Sequence, residues 1–161
     1  MKRLIVFACL LLAFAQSASA QPRSFGLRGG IGLEMSYQHA RNDNFLEIDL
    51  GVLGDAGLEK MPAYYPGLRL SAAYDFTLFS AEGKGGAFAF YLGPGATFGL
   101  YGRSKPVAGI LMQVGIEYDI PKVPVALAID FRPNIWFGHE GVPIEIEPQS
   151  VIPMGALRWK F

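Results

Sequence analysis

The sequence predicts an all-β chain, a closed antiparallel transmembrane β-barrel of eight strands that follows a signal peptide. Three observations predict it. From Ser24 onward, apolar residues alternate at period two with small or polar ones, in segments separated by Gly, Pro, Asn or charged residues. One face of that alternation carries large aliphatic and aromatic side chains and no charge, whereas the other mixes charges with Gly, Ala and Ser. The chain stops on a strand, Gly155 to Phe161. Its Leu157, Trp159 and Phe161 share one face, and its Ala156, Arg158 and Lys160 share the other.

The first twenty residues read as a secretory leader. Lys2 and Arg3 form a charged start, and Leu4 to Ala15 is an apolar run of 12 residues, too short to span a bilayer as a helix. Ala18-Ser19-Ala20 is a small-residue cleavage site, so residues 1–20 are expected to leave and 21–161 to form one barrel domain. Cys9, the single cysteine, lies within the leader. The mature domain therefore has no disulfide, no thiol nucleophile and no cysteine metal site. Once Lys2 and Arg3 are gone, the 14 Lys and Arg residues fall two short of the 14 Asp and Glu residues. With no basic run either, binding to nucleic acid is not expected.

Seven segments follow. The first, Ser24 to His39, sets Phe25, Leu27, Ile31, Leu33, Met35 and Tyr37 against Arg28, Glu34, Ser36 and Gln38, and Arg41-Asn-Asp-Asn44 turns the chain. The second sets Leu46, Ile48, Leu50 and Val52 against Glu47 and Asp49, with a long loop from Gly54 to Tyr65. The third, Gly67 to Phe79, opposes Leu68, Leu70, Tyr74, Phe76 and Leu78 to Arg69, Ser71, Asp75 and Thr77. After the turn Glu82-Gly-Lys-Gly-Gly86, the fourth opposes Phe88, Phe90, Leu92 and Phe98 to Tyr91, Thr97 and glycines. The fifth sets Ile110, Met112, Val114, Ile116 and Tyr118 against Gln113, Glu117 and Asp119. Beyond Pro121-Lys-Val-Pro124, the sixth sets Leu127, Ile129, Phe131, Ile135 and Phe137 against Asp130, Arg132, Asn134 and Trp136. Residues 138–152 form the longest loop, and the closing strand is the seventh segment.

Small residues mixed with charges suit the crowded lumen of a narrow barrel better than the outer face of a soluble one, which is filled with bulky polar side chains. The charge-free face then meets lipid, where Arg or Lys at mid-bilayer would cost about 2–4 kcal/mol. Sheets in lipid must close, because open edges cannot be hydrated. Placing the short turns and the C-terminus on the periplasmic side puts Tyr37, Tyr74, Phe76, Phe88, Tyr118, Trp159 and Phe161 at one membrane edge. Phe25, Phe98 and Phe137 are then expected at the other. Bacterial barrels have even strand numbers. The eighth strand is expected from a bend at Gly29-Gly30 that divides Ser24–His39; the alternative adds Ile144–Glu147 to the wall. Pro94 and Pro133 lie within strands, where each removes a ladder donor, so bulges are expected there.

The lumen carries the main constellation: Arg28, Glu34, Glu47, Asp49, Arg69, Asp75, Glu117, Asp119, Asp130, Arg132, Arg158 and Lys160. An ion-paired plug is the expectation, and a polar pore is the alternative. A hydrolase would need a set such as Ser150, His139 and Glu140, but neighbouring residues of an extended chain point opposite ways, so Glu140 is badly placed to orient His139. Glu140, Glu145 and Glu147 could hold a cation only loosely in a solvated loop. His39 reads as an interfacial residue at a turn. No catalytic residue, metal or cofactor is expected.

Tyr91-Leu-Gly-Pro-Gly-Ala96 and Gly115-Ile-Glu-Tyr118 resemble strands of exported small barrels, and the mature chain as a whole resembles small outer-membrane β-barrel proteins of the OmpX and OmpA-transmembrane type. The resemblance implies a structural or surface role and supplies no catalytic residues. The expectation is a monomer in outer-membrane lipid, recognised by the assembly machinery through its last strand, with Trp159 and Phe161 as the signal. Its alternatives are a narrow channel or a lipid hydrolase.

Overall fold

The computed structural model describes residues 23–30, 32–41, 43–53, 67–101, 105–137, 145–146 and 152–161. These form strands β1 (Arg23–Gly29), β2 (Gly32–Arg41), β3 (Asn44–Leu53), β4 (Gly67–Gly83), β5 (Gly86–Tyr101), β6 (Lys105–Asp119), β7 (Val125–Phe131), β8 (Asn134–Phe137), β9 (Glu145–Ile146) and β10 (Met154–Lys160), with no helix among the described residues. From β1 to β7 each strand pairs antiparallel with the next. β10 then lies between β7 and β1, pairing Leu157 with Leu127 on one side and with Leu27 on the other. The result is a closed eight-stranded barrel in which β7 and β8 are two parts of one wall strand.

The eighth strand arises at Gly29-Gly30, as expected. The chain reverses there, Gly30 N–H bonds the carbonyl of Gly32 at 3.1 Å, and β1 pairs back onto β2 from Arg23–His39 to Gly29–Leu33. The alternative segment contributes less. β9 pairs only Ile146 with Ile135 and Glu145 with Trp136, on the side of the β7–β8 wall strand where β10 pairs, so it adds a two-residue segment to the wall and no further strand to the ring. Ile31, the loop 54–65 and nearly all of the loop 138–152 fall outside the described residues.

This reversal corrects one expectation. Phe25 pairs with Trp159 and with Tyr37, so it joins the aromatic set at the turn end rather than the opposite edge. A single long strand would have carried Phe25 away from Tyr37, whereas a hairpin returns it.

The prolines correct a second. Pro133 causes no bulge: the pairing of β6 with β7 and then with β8 keeps one register, and Met112 N–H still donates to the Pro133 carbonyl at 3.0 Å. Pro94 stays opposite Met112 in an unbroken β5–β6 ladder. On its other side the β4 pairing lapses between Ala73–Gly95 and Phe76–Leu92 without a shift. The register shift sits instead at Leu78, between Thr77 and Phe79, on the strand facing Pro94's. A missing N–H removes one bond but need not add a residue, and here the ladder on the far side of each proline holds the register.

The alternation sorts side chains as read from the sequence. Leu27 and Ile129 point outward at 51% and 57% exposure, and the outer face continues through Leu33, Leu50, Leu70, Phe98 and Ile110. Inward positions are buried and polar. Among the described residues the largest side chains under 2% exposed are Arg28, Arg158, Tyr91, Gln113, Glu34 and Glu47, and no Leu, Ile, Phe or Met joins them. The polarity of a soluble core is inverted.

Small lumen residues let the wall close around these long side chains. A Cβ on Gly26 would stand 1.9 Å from the Leu157 carbonyl oxygen and 2.7 Å from Arg158 Cα, across the β1–β10 seam. Gly29, three residues on, has open space. Gly26→Val should therefore cut the yield of folded, heat-modifiable barrel several-fold, whereas Gly29→Ala should leave it unchanged. Gel mobility of unboiled samples measures both, and equal yields would show that the seam has slack.

Candidate functional site

The charged lumen is the candidate site, and every strand of the ring apart from β5 supplies ionised groups to it. β1 and β2 are joined by the short reversal at Gly30, so Arg28 and Glu34 stand directly opposite each other. Arg28 Nη1 reaches Glu34 at 2.5 Å, while Arg28 Nε meets Asp130 of β7 at 3.1 Å over the intervening β10, with a second Arg28 nitrogen on the same carboxylate. Glu34 also accepts from Arg69 of β4, at 3.0 Å from Nε and 2.5 Å from Nη2. Such two-pronged guanidinium–carboxylate contacts are the strong form of the interaction.

Glu47 of β3 is the centre. It is fully buried and accepts from Arg132 at 2.6 Å, Arg158 at 2.7 Å, Ser36 at 3.0 Å, Gln38 at 3.0 Å and Gln113 at 3.1 Å. These donors come from β2, β6, β10 and the break between β7 and β8. A carboxylate offers about four lone-pair sites, so this one is saturated. Arg132 also binds Asp49, and its Nη1 lies 3.8 Å from Glu34, which ties the Glu34 and Glu47 groups together. Arg158 continues toward the turn end through Glu117 at 3.2 Å, and Lys160 links Glu117 at 3.0 Å to Asp119. One connected chain thus runs from Arg69 near the loop end to Asp119 at the rim.

Of the twelve charged lumen residues read from the sequence, the structure joins eleven: Arg28, Glu34, Glu47, Asp49, Arg69, Glu117, Asp119, Asp130, Arg132, Arg158 and Lys160. Asp75 stays apart. It is fully buried, and neither carboxylate oxygen has a hydrogen-bond partner among the described residues. Its strand neighbours are Phe45 on β3 and, across the lapsed pairing, Gly93 on β5, and neither supplies a side-chain donor.

The neutral partners were not singled out in the sequence. Ser36, Gln38 and Gln113 sit at inward parity, but that parity alone does not say that all three converge on Glu47. Tyr91 is fully buried too, its ring edge-on to Phe45 with centroids 5.1 Å apart. A Cβ on Gly115 would meet the Tyr91 hydroxyl at 2.5 Å, so the phenol lies over the glycine paired with it on β6. Among the described residues no group of three or more His, Cys, Asp or Glu could hold a metal ion. Ser150, His139, Glu140 and Glu147 lie outside the described residues, as does the side chain of Glu145.

At the closing strand Trp159 and Phe161 point outward at 56% and 42% exposure. Phe161 also closes the seam, because its N–H donates to Arg23 at 2.8 Å and its carbonyl accepts from Arg23 N–H at 3.1 Å. Removing one member of a buried ion pair costs about 3–5 kcal/mol by stranding its partner. Glu47→Ala should therefore destabilise the folded barrel by about 3–5 kcal/mol in urea titrations. Asp75→Asn, which replaces a buried carboxyl that has no hydrogen-bonding partner, should be neutral or stabilise by about 1–3 kcal/mol. The reverse order of the two effects would mean that the lumen is hydrated and the pairing unimportant.

Comparison with protein-family models, with curated proteins and with solved structures finds no match to this chain.

Proposed function

We propose that the protein is an integral outer-membrane β-barrel with a structural or surface-contact role, its lumen blocked by the ion-paired network. One observation carries this reading: the large side chains with the least exposure are charged or polar, while the exposed outer face is aliphatic and aromatic. Water would penalise that outer face, and lipid would not. A filled interior is what an eight-stranded ring of this kind allows, since its width is just enough for side chains. The protein acts without catalysis, as a monomer, and binds no nucleic acid. Residues 1–20 direct export and are cleaved after Ala20, and the loops 54–65 and 138–152 provide the outward contact surface. The assembly machinery reads the closing strand through Trp159 and Phe161, whose aromatic rings are exposed.

Cell fractionation and gel mobility test the reading. The mature chain should appear in the outer-membrane fraction and migrate differently before and after boiling; a soluble periplasmic product would overturn it. In planar bilayers the folded parent should show no discrete conductance steps, and regular steps would favour the channel instead. Deleting Phe161 should reduce assembly in cells several-fold while leaving the purified chain able to refold in detergent.

A further inference from the structure

Among the described residues the outer face of the strands is uncharged except at one place. Arg23 of β1 and His39 of β2 are directly paired, and the row continues through Leu46 of β3 to Tyr74 of β4. Their inward neighbours Ser24 and Gln38 are buried, so Arg23 and His39 lie at outward parity. Arg41, two residues beyond His39 on the same face, is exposed. His39, Arg41, Leu46 and Tyr74 line an open cleft of about 370 Å³. The Nε of Arg23 is buried and has no hydrogen-bond partner among the described residues.

The surroundings of the cleft fit one kind of occupant. Below it lies the turn at Asp43; above it the outer face is lined by Ile48 and by Ala72, which pairs with Ala96. The two alanines leave a shallow apolar track between larger neighbours. Tyr74 and Phe76 stand edge-on beside it at 5.2 Å, within the aromatic set of the turn end. Two guanidinium groups and an imidazole at the foot of an apolar track match a phosphate joined to an acyl chain. Asp43 is the acidic residue of the adjoining turn, and the backbone of Phe161 bonds that of Arg23. Among the described residues neither Arg23 nor Arg41 forms an ion pair.

We propose that Arg23, His39 and Arg41 form a binding site for the headgroup of an anionic phospholipid, with its acyl chain along Leu46, Tyr74 and Ala72. This rests on the membrane reading above. The cationic pair draws the phosphate through charge-assisted hydrogen bonds, which gain strength at the partly dehydrated membrane surface. The aromatic ring of Tyr74 sets the depth at which the glycerol region sits.

Trp159 provides the reporter. It faces outward, one strand and one row from Arg23, whereas Trp136 is directed into the lumen against Gly99. The mature chain is folded into phosphatidylcholine vesicles containing phosphatidylglycerol, with one or the other lipid brominated at equal mole fraction. Tryptophan quenching by the brominated anionic lipid should exceed that by the zwitterionic one by about two-fold. Arg23→Gln with Arg41→Gln should abolish the difference, and Lys84→Gln, at the exposed tip of the β4–β5 hairpin, should retain it. Equal quenching in the inserted parent would overturn the site while leaving the membrane reading intact, and so would an equal loss in the Lys84 variant. Loss of the preference in inorganic phosphate, but not in chloride of matched ionic strength, would replace the lipid by a free anion. Failure of the parent to insert, seen as the absence of heat-modifiable mobility, would overturn both readings.

Discussion

The structure depends on satisfying Glu47. A carboxylate removed from water at the centre of a narrow ring is tolerated only when donors reach it from several directions, and here they arrive from four places around the wall. Those donors are spread over more than a hundred residues of sequence, so no part of the chain can satisfy the group alone. The closed ring and the filled lumen therefore form together, and each makes the other possible. The lumen also frees the outer face from any polar duty. Because charge is collected inside, the wall can present aliphatic and aromatic groups without interruption over most of its surface.

Narrowness has its own requirement. Long guanidinium side chains fit only where the facing wall is thin, and glycine and alanine provide that thinness. Gly26 lies under the β1–β10 seam where a methyl group would strike the neighbouring backbone. Gly115 yields its space to the Tyr91 phenol. Ala126, Ala128 and Ala156 do the same more gently along β7 and β10, which puts the smallest inward residues beside the strand that brings Arg158. The charges determine what fills the barrel, and the small residues determine that it can be filled.

Much of this was legible in the sequence because a strand has a strict period. Parity alone placed Arg28, Glu47 and Arg158 inside and Leu27, Ile48 and Trp159 outside. Parity says nothing about depth or partner, since both follow from how the ring closes. That is why Ser36, Gln38 and Gln113 were unremarkable as residues and became ligands of Glu47 only in three dimensions. It is also why Asp75, equivalent to the other acids by pattern, turned out to stand alone. Phe25 was misplaced because it depended on whether Gly29-Gly30 bends or reverses, and two glycines permit either. The prolines were misread because a lost donor was equated with an inserted residue.

Those prolines have a consequence for how the wall moves. Pro94 and Pro133 both lie level with Met112, one on each side of β6; Met112 spends its N–H on Pro133, so the donor absent at Pro94 falls on the β4 side. The same row lies beside the lapse in β4–β5 pairing. Amide protons near this line have the fewest bonds to break before they meet solvent, and exchange there proceeds through local opening rather than through loss of the whole ring. The wall from β4 to β8 is thus held firmly above and below this row and loosely within it. The barrel has a built-in line along which it can breathe without giving up its register.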